Sequence, residues 1–410
     1  MGDSGPFAYL FERFPSFTQT FCAREVMEMR RQGVLCPIFS IRNPQDEPAQ
    51  SFPPELKDST IYGPEKFDEI LASDGKFRRR ARKGLDELRE TWGDEGEKRR
   101  IYEALWLLPR LRERQIEHVH THFAGSATRT AYWLKRLGGI RYSFTAHAND
   151  IFCDEPHERL ASLIDGAEVV VTVSEFSAGM LRKKFPEAAN KVHRVYNGIH
   201  PDRFRRGVPD SPVPLILSVG RYIEKKGFHD LIAACRRLEG QRFECQIVGQ
   251  GPLEESLRKA AEGDDRIKIT GPKTEAEIVS LMARTTAFVL PCVDSESGSK
   301  DNLPTVIMEA MAASLPVVST HLAGVPEMVI DGQTGFLVNA GNVEALAERI
   351  SRLLGDVRLA RQMGVAGRRL CEARFSTEKT TAELRSVLEA CGAFRRQPRG
   401  FLDRLLGGFQ

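Results

Sequence analysis

Two carboxylates eight positions apart, Asp301 and Glu309, lie in the stretch Asp301 to Val329, which reads DNLPTVIMEAMAASLPVVSTHLAGVPEMV. Pro304 between them suits a first helical position, where its missing N–H costs nothing, and Asn302 suits a cap. The spacing predicts a helix over Thr305 to Ala313, followed by a short buried strand through Leu315 to Val318. A helix N-terminus offers free backbone N–H groups and partial positive charge, so phosphate is the ligand it suits best, and Thr305 and Val306 would supply those groups. Glu309 then falls roughly 7 Å along the axis from Pro304 at about 1.5 Å per residue, about the reach from a phosphate to a neighbouring sugar hydroxyl. The arrangement fits a cradle for a sugar diphosphate with carboxylates on its hydroxyls. An ordinary capped helix with two surface acids is the plainer alternative.

Cations for such a ligand stand in LILSVGRYIEKKGF, where a strand ending at Gly220 delivers Arg221 to its carboxyl end, with Lys225, Lys226 and Gly227 ahead of a helix. Point charges there strengthen their hold as negative charge develops on a diphosphate leaving group. Solvated surface cations are the alternative, and the spacing of a P-loop is absent. QIVGQGPLEESL resembles the front of a dinucleotide fingerprint but carries Glu254 where the third glycine belongs, which argues against NAD. Earlier in the chain, FTAHANDIF places His147 and Asp150 just beyond a strand's carboxyl end, so His147 is a candidate for contact with a reacting group or, alternatively, a structural turn histidine. His118, His120 and His122 fall on one strand face by their period of two. Three aligned imidazoles suggest zinc, but no H-E-x-x-H accompanies them, so packing or hydrogen-bonding roles are preferred and no metal is expected.

A chain of 410 residues with 41% hydrophobic and 28% charged content predicts a two-domain soluble protein. Apolar runs at Phe7–Phe11, Val34–Phe39, Ile116–Phe123, Arg141–His147, Val169–Val173 and Val192–Tyr196 read as strands, with helix-length segments such as Thr128–Arg136 and Phe176–Phe185 between several of them. The segment NGIHPDRFRRGVPDSPVP marks a linker, after which the alternation resumes at Leu215–Val219, Phe243–Val248, Ile267–Thr270, Ala287–Pro291, Leu315–Ser319 and Phe336–Val338. The pattern predicts an α/β fold of two Rossmann-like, doubly wound domains facing across a cleft, spanning about 1–200 and 201–385. A helical insertion is expected near 65–114, and 386–410 reads as a helix end and a basic, apolar tail.

The net charge of +3 is too small to argue for nucleic acid, but Lys76 to Lys83 (KFRRRARK) concentrates six cations in eight residues. That run and the tail FRRQPRGFLDRLLGGFQ suit a solvated helix face or peripheral contact with an anionic membrane. No apolar run reaches the roughly 20 residues that span a bilayer, and the first residues lack a signal-peptide pattern, so a cytoplasmic protein is expected. The eight scattered cysteines agree with a reducing compartment.

Together FPSFTQTF, HVHTHFA, FTAHANDIF, VVTVSEFSAGML, VYNGIHPDRF, SVGRYIEKKG, IVGQGP, DNLPTVIMEAMAASLPVV and AGVPEMV with DGQTGFLV resemble, in family order, the family 4 retaining glycosyltransferases of GT-B architecture. FPSFTQTF with FTAHANDIF is similar to the branch that makes bacterial exopolysaccharides and colanic-acid-like polymers. The resemblance implies that Arg221 and Lys226 hold the donor diphosphate with the Thr305 and Val306 backbone, that Glu309 binds the ribose, and that Asp301 and His147 meet the donor sugar. Asp301 stands where the family has Glu, which shortens the acid by one methylene, and Asn302 stands where Gly is usual. The resemblance further implies no metal and no cofactor, a nucleoside-diphosphate sugar with uridine preferred and guanosine open, and a glycan or lipid-linked acceptor. With no evident nucleophile, a retaining transfer would proceed by front-face substitution. A non-hydrolysing sugar-nucleotide epimerase and a non-catalytic partner subunit share the architecture and are the alternatives.

Overall fold

The computed structural model describes residues 6–17, 19–45, 47, 52–66, 79, 81–82, 84–87, 97–205, 207 and 213–395. Most of the basic run Lys76–Lys83 and all of the tail after Arg395 lie outside them. The chain divides into two compact units: residues up to Val173 with Ala178–Val195 and Thr381 onward, and Ser174–Ser177 with Tyr196–Thr380.

In the first unit, β1 (Phe7–Arg13) carries apolar residues on both faces, as a strand covered from two sides must. Ala8 and Leu10 enter one core cluster, while Phe7, Tyr9 and Phe11 enter another. The remaining strands are β2 (Ile38–Arg42), β3 (Thr60–Tyr62), β4 (His118–His122), β5 (Arg141–Ala146), β6 (Val170–Thr172) and β7 (Val192–Arg194), all paired in parallel in the order β3-β2-β1-β4-β5-β6-β7. β3 is absent from the strands expected from sequence; three residues, TIY, at a sheet edge carry too little apolar pattern to be read. The helix Lys98–Glu113, inside the segment expected as an insertion, buries Ile101, Ala104, Leu105, Leu108 and Leu111 in the main core against the helix Ser126–Gly138.

The second unit repeats the plan with β8 (Leu215–Val219), β9 (Glu244–Val248), β10 (Ile267–Thr270), β11 (Ala287–Val289), β12 (Val317–Thr320) and β13 (Gly335–Val338), again all parallel, in the order β10-β9-β8-β11-β12-β13. Its core holds Ile216, Leu217, Ile247, Phe288, Met308, Met311 and Ile350, each fully buried. Burial of such side chains contributes about 1.5–3 kcal/mol apiece. Each sheet reverses its winding once, between β1 and β4 in the first and between β8 and β11 in the second. Doubly wound sheets bind ligands at the carboxyl ends of the strands flanking that reversal. Those ends carry His122 in the first unit, and Gly220–Arg221 and Pro291–Cys292 in the second. All eight cysteines are free and six are buried, and among the described residues no helix is long and apolar enough to cross a membrane.

Candidate active site

In the second unit the chain leaves β8 at Gly220 and makes a tight turn over Glu224–Lys226. Tyr222, fully buried, anchors that turn by donating its hydroxyl to the Ile247 carbonyl at 2.9 Å. Gly227 closes it at φ 66°, where a Cβ would come 1.8 Å from the Pro291 carbonyl oxygen, so no other residue fits without moving backbone. The turn brings two ammonium groups to one carboxylate. Lys226 Nζ lies 2.5 Å from Asp301 Oδ2 and Lys225 Nζ 3.4 Å from Oδ1, with all three side chains close to 13% exposed. Cys292 Sγ lies 3.7 Å from Asp301 Oδ2.

Burial raises the Asp301 carboxyl, and Lys226 and Lys225 outweigh it, holding the acid below its ordinary range. Burial likewise works against the charge on Lys226, and Asp301 reverses it, so the ammonium is held above its ordinary value. Arg221 is exposed, and its charge bears on Lys226 from the same strand end. The turn therefore sets two cations on one acid, with a third, Arg221, close enough to Lys226 for its charge to be felt.

The helix that follows runs Thr305–Ala312. Two local expectations change here. Pro304 is the cap residue rather than the first helical one, and Asn302 is not the cap. Asn302 Oδ1 instead accepts from Ser174 Oγ at 2.5 Å, a partner 128 positions away that no local pattern announces, and its carbonyl accepts from Gly324 N at 2.9 Å. Helix geometry leaves the Thr305 and Val306 N–H groups without intrahelical acceptors. Glu309 is half-buried one turn further on. The structure thus joins Asp301 and Lys226 directly, adds Lys225 and Cys292, and sets Thr305, Val306 and Glu309 on one helix. Lys225 was legible as the first of two adjacent lysines; Cys292 had no signal beyond its place after a strand.

In the first unit His147 follows β5, and the Asp150 carboxylate orders its loop by accepting from the backbone N–H groups of His147 at 3.1 Å, Ala148 at 2.7 Å and Ala124 at 2.9 Å. The His147 ring packs between Phe21 and Phe123, with centroids at 4.8 and 4.4 Å. Its Nε2 lies 3.0 Å from His122 Nδ1, while His122 Nε2 lies 3.1 Å from Glu25 Oε1, which also accepts from the Tyr9 hydroxyl at 2.8 Å. His118 and His120 share the Ser143 hydroxyl, each at 2.8 Å, and His120 reaches Thr145 Oγ1 at 3.0 Å. Burial pushes both down to about 3, so they are neutral hydrogen-bonding groups. Glu25, His120 and His122 each offer one ligand atom within 4.8 Å of the others, so a metal ion would find donors there only by displacing these hydrogen bonds. Glu25 lay in an unremarkable helix, 97 positions from His122, and sequence reasoning missed it.

Residues 28–203 match the family model described as Glycosyltransferase Family 4, and residues 213–356 the model described as Glycosyl transferases group 1. A glycosyltransferase assigned to colanic acid biosynthesis in Escherichia coli (strain K12), WcaL, is 34% identical over 285 residues, which are 66% of this chain and 69% of the relative. The chain belongs to the family 4 glycosyltransferases. A second relative of this family 4 glycosyltransferase is the GDP-mannose-dependent alpha-(1-6)-phosphatidylinositol monomannoside mannosyltransferase of Mycobacterium tuberculosis, 28% identical over 70% of this chain and 80% of its own length. Among solved structures, HepE of Anabaena in complex with UDP and glucose aligns with a TM-score of 0.69 over 94% of this chain and 99% of its own, at 15% identity. The family 4 glycosyltransferase therefore has the GT-B fold, two parallel α/β domains.

Proposed function

We propose that this glycosyltransferase moves a hexose from a nucleoside-diphosphate sugar to a glycan or lipid-linked saccharide in the assembly of a bacterial exopolysaccharide. Transfer proceeds with retention and without a metal, in the cytoplasm, and a lipid-linked acceptor would bring the enzyme to the inner face of the plasma membrane. The observation that carries the reading is the cluster of Lys225, Lys226 and Asp301 beside Arg221 at the reversal point of the second sheet. Lys226 and Arg221 neutralise the diphosphate, and the first-turn N–H groups at Thr305 and Val306 add a helix N-terminus. Fixed cations there do the work that a divalent ion would otherwise do. Glu309 takes the nucleotide ribose, while Asp301 and His147 meet the donor sugar.

In the reaction the bond between the anomeric carbon and the phosphate oxygen breaks, and its electron pair leaves with the nucleoside diphosphate. The acceptor hydroxyl oxygen bonds to the anomeric carbon on the same face, and its proton passes to the departing phosphate oxygen. UDP, as in the HepE complex, and GDP, as in the mycobacterial relative's donor, are the two nucleotides to compare.

The test is a thermal-shift panel of UDP, GDP and their sugars with and without EDTA, followed by NMR of the anomeric configuration in any product. A ligand at 100 times its Kd stabilises by about 2.7 kcal/mol. A shift that survives EDTA, with an anomer unchanged from donor to product, is expected. No response to either nucleotide, dependence on a divalent ion, or an inverted product would refute the corresponding part of the reading.

A further inference from the structure

The hydrogen bonds of the buried groups behind His147 narrow its protonation to two arrangements. Glu25, as a carboxylate, only accepts, and it already takes the Tyr9 hydroxyl at 2.8 Å, so the His122 Nε2 at 3.1 Å must carry a hydrogen. One hydrogen must also lie between His122 Nδ1 and His147 Nε2, 3.0 Å apart. If His122 supplies it, His122 is an imidazolium and His147 a neutral ring protonated on Nδ1. If His147 supplies it, the carboxylate at Glu25 has no adjacent cation.

The charged groups facing this chain decide between the two. Cys22 and Glu25 come from the helix Thr20–Arg31, Tyr9 from β1, His120 from β4 and His147 from beyond β5. Burial opposes charge on His122, and Cys22 and Glu25 beside it raise the imidazole above its ordinary value. Cys22 is itself raised by burial and is a neutral thiol near pH 7, so Glu25 is the countercharge. Glu25 is held below its ordinary value, against the effect of burial, chiefly by His122. His147, wrapped by Phe21 and Phe123, is pushed well below its ordinary value by burial and by the charge on His122. A buried carboxylate is costly unless a cation stands directly against it, which His122 does and His147 does not.

We propose that Glu25 and His122 are positioning residues that hold His147 as a neutral imidazole with its proton on Nδ1, so that it meets the donor sugar as a hydrogen-bond donor to an oxygen. The role at the sugar rests on the function proposed above; the proton assignment rests on the hydrogen-bond chain and on the charges of the buried groups that face it. His147 in this state is neither a general base through Nδ1 nor a cation that would repel an oxocarbenium-like centre.

The experiment is histidine-selective 15N NMR of the full chain at pH 7–8, with Glu25→Gln as the perturbation and UDP-glucose as the kinetic probe. In the wild type His147 should show a protonated Nδ1 and an unprotonated Nε2, while His122 shows both nitrogens protonated. Glu25→Gln should release the second proton of His122 below pH 8 and slow turnover of UDP-glucose about 10–100-fold, the usual cost of losing an outer-shell partner, with the Kd for UDP unchanged within about twofold. An unprotonated Nδ1 on His147 in the wild type, or a His122 that stays doubly protonated in Glu25→Gln at pH 8, overturns the proposal. If the NMR results hold and turnover does not change, the proton assignment stands and the contact of His147 with the donor sugar is what fails.

Discussion

Replacing Lys226 with alanine tests the phosphate assignment most directly, because the structure specifies both what is lost and what is left behind. The ammonium sits 2.5 Å from Asp301 Oδ2, and the acid keeps only Lys225 at 3.4 Å once it is gone. Removing one partner of a buried ion pair costs about 3–5 kcal/mol. Lys225 retains part of that attraction, so the loss of stability should fall nearer 1–3 kcal/mol, an order-of-magnitude figure. For the ligand, one hydrogen bond between charged groups contributes about 1.5–3 kcal/mol, and every 1.4 kcal/mol is tenfold. UDP binding should therefore weaken by about 10–150-fold, and the carboxylate left behind adds repulsion to that. Isothermal titration with UDP measures the loss, and uridine, which has no phosphate, is the control whose affinity should not move. Pairing Lys226→Ala with Asp301→Asn should recover part of the UDP affinity by removing the exposed negative charge. A UDP affinity within about twofold of wild type in Lys226→Ala, with the protein folded, would refute the argument.

Gly227→Ala should disrupt the same turn by a different route, since its Cβ would lie 1.8 Å from the Pro291 carbonyl at a φ of 66°; the protein should keep both sheets by circular dichroism yet lose UDP binding about as severely as Lys226→Ala. The pH behaviour follows from the signs of the two shifts. Asp301 is depressed, so its stabilisation is present above its unfolded value of about 3.9 and is lost as pH falls through the lower folded value. Lys226 is raised, so its share is present below about 10.4 and is lost as pH climbs through the higher folded value. Thermal denaturation of wild type against Asp301→Asn should show a constant difference between about pH 5 and pH 9 that narrows outside that window; a difference that varies across the middle of the range would show that another group controls it.

Sequence periodicity revealed most of the strands because parallel sheets covered on both faces demand continuous apolar runs, and β8 appears as predicted at Leu215–Val219. The strand ends were less legible. Val34–Phe39 was expected where Ile38–Arg42 forms, because pairing with β1, not hydrophobicity, sets where β2 begins. In the candidate site, residues presented by a strand end or a helix start were legible, as Arg221, Lys226, Thr305, Val306, Glu309 and His147 were. Asn302 was misjudged as a cap because its partner, Ser174, is set by the fold and not by local spacing.

By itself the sequence determined the two-domain α/β plan, the family and the placement of cations and acids at strand and helix ends, since all of these follow from local pattern along the chain. Only the tertiary structure decided how those groups pair. It put two lysines on Asp301, and it put Glu25 behind His122 and His122 behind His147 across 97 and 25 positions of sequence. A buried charge takes as its partner whatever group the packing brings within about 3 Å, and a local sequence pattern carries no record of that distance.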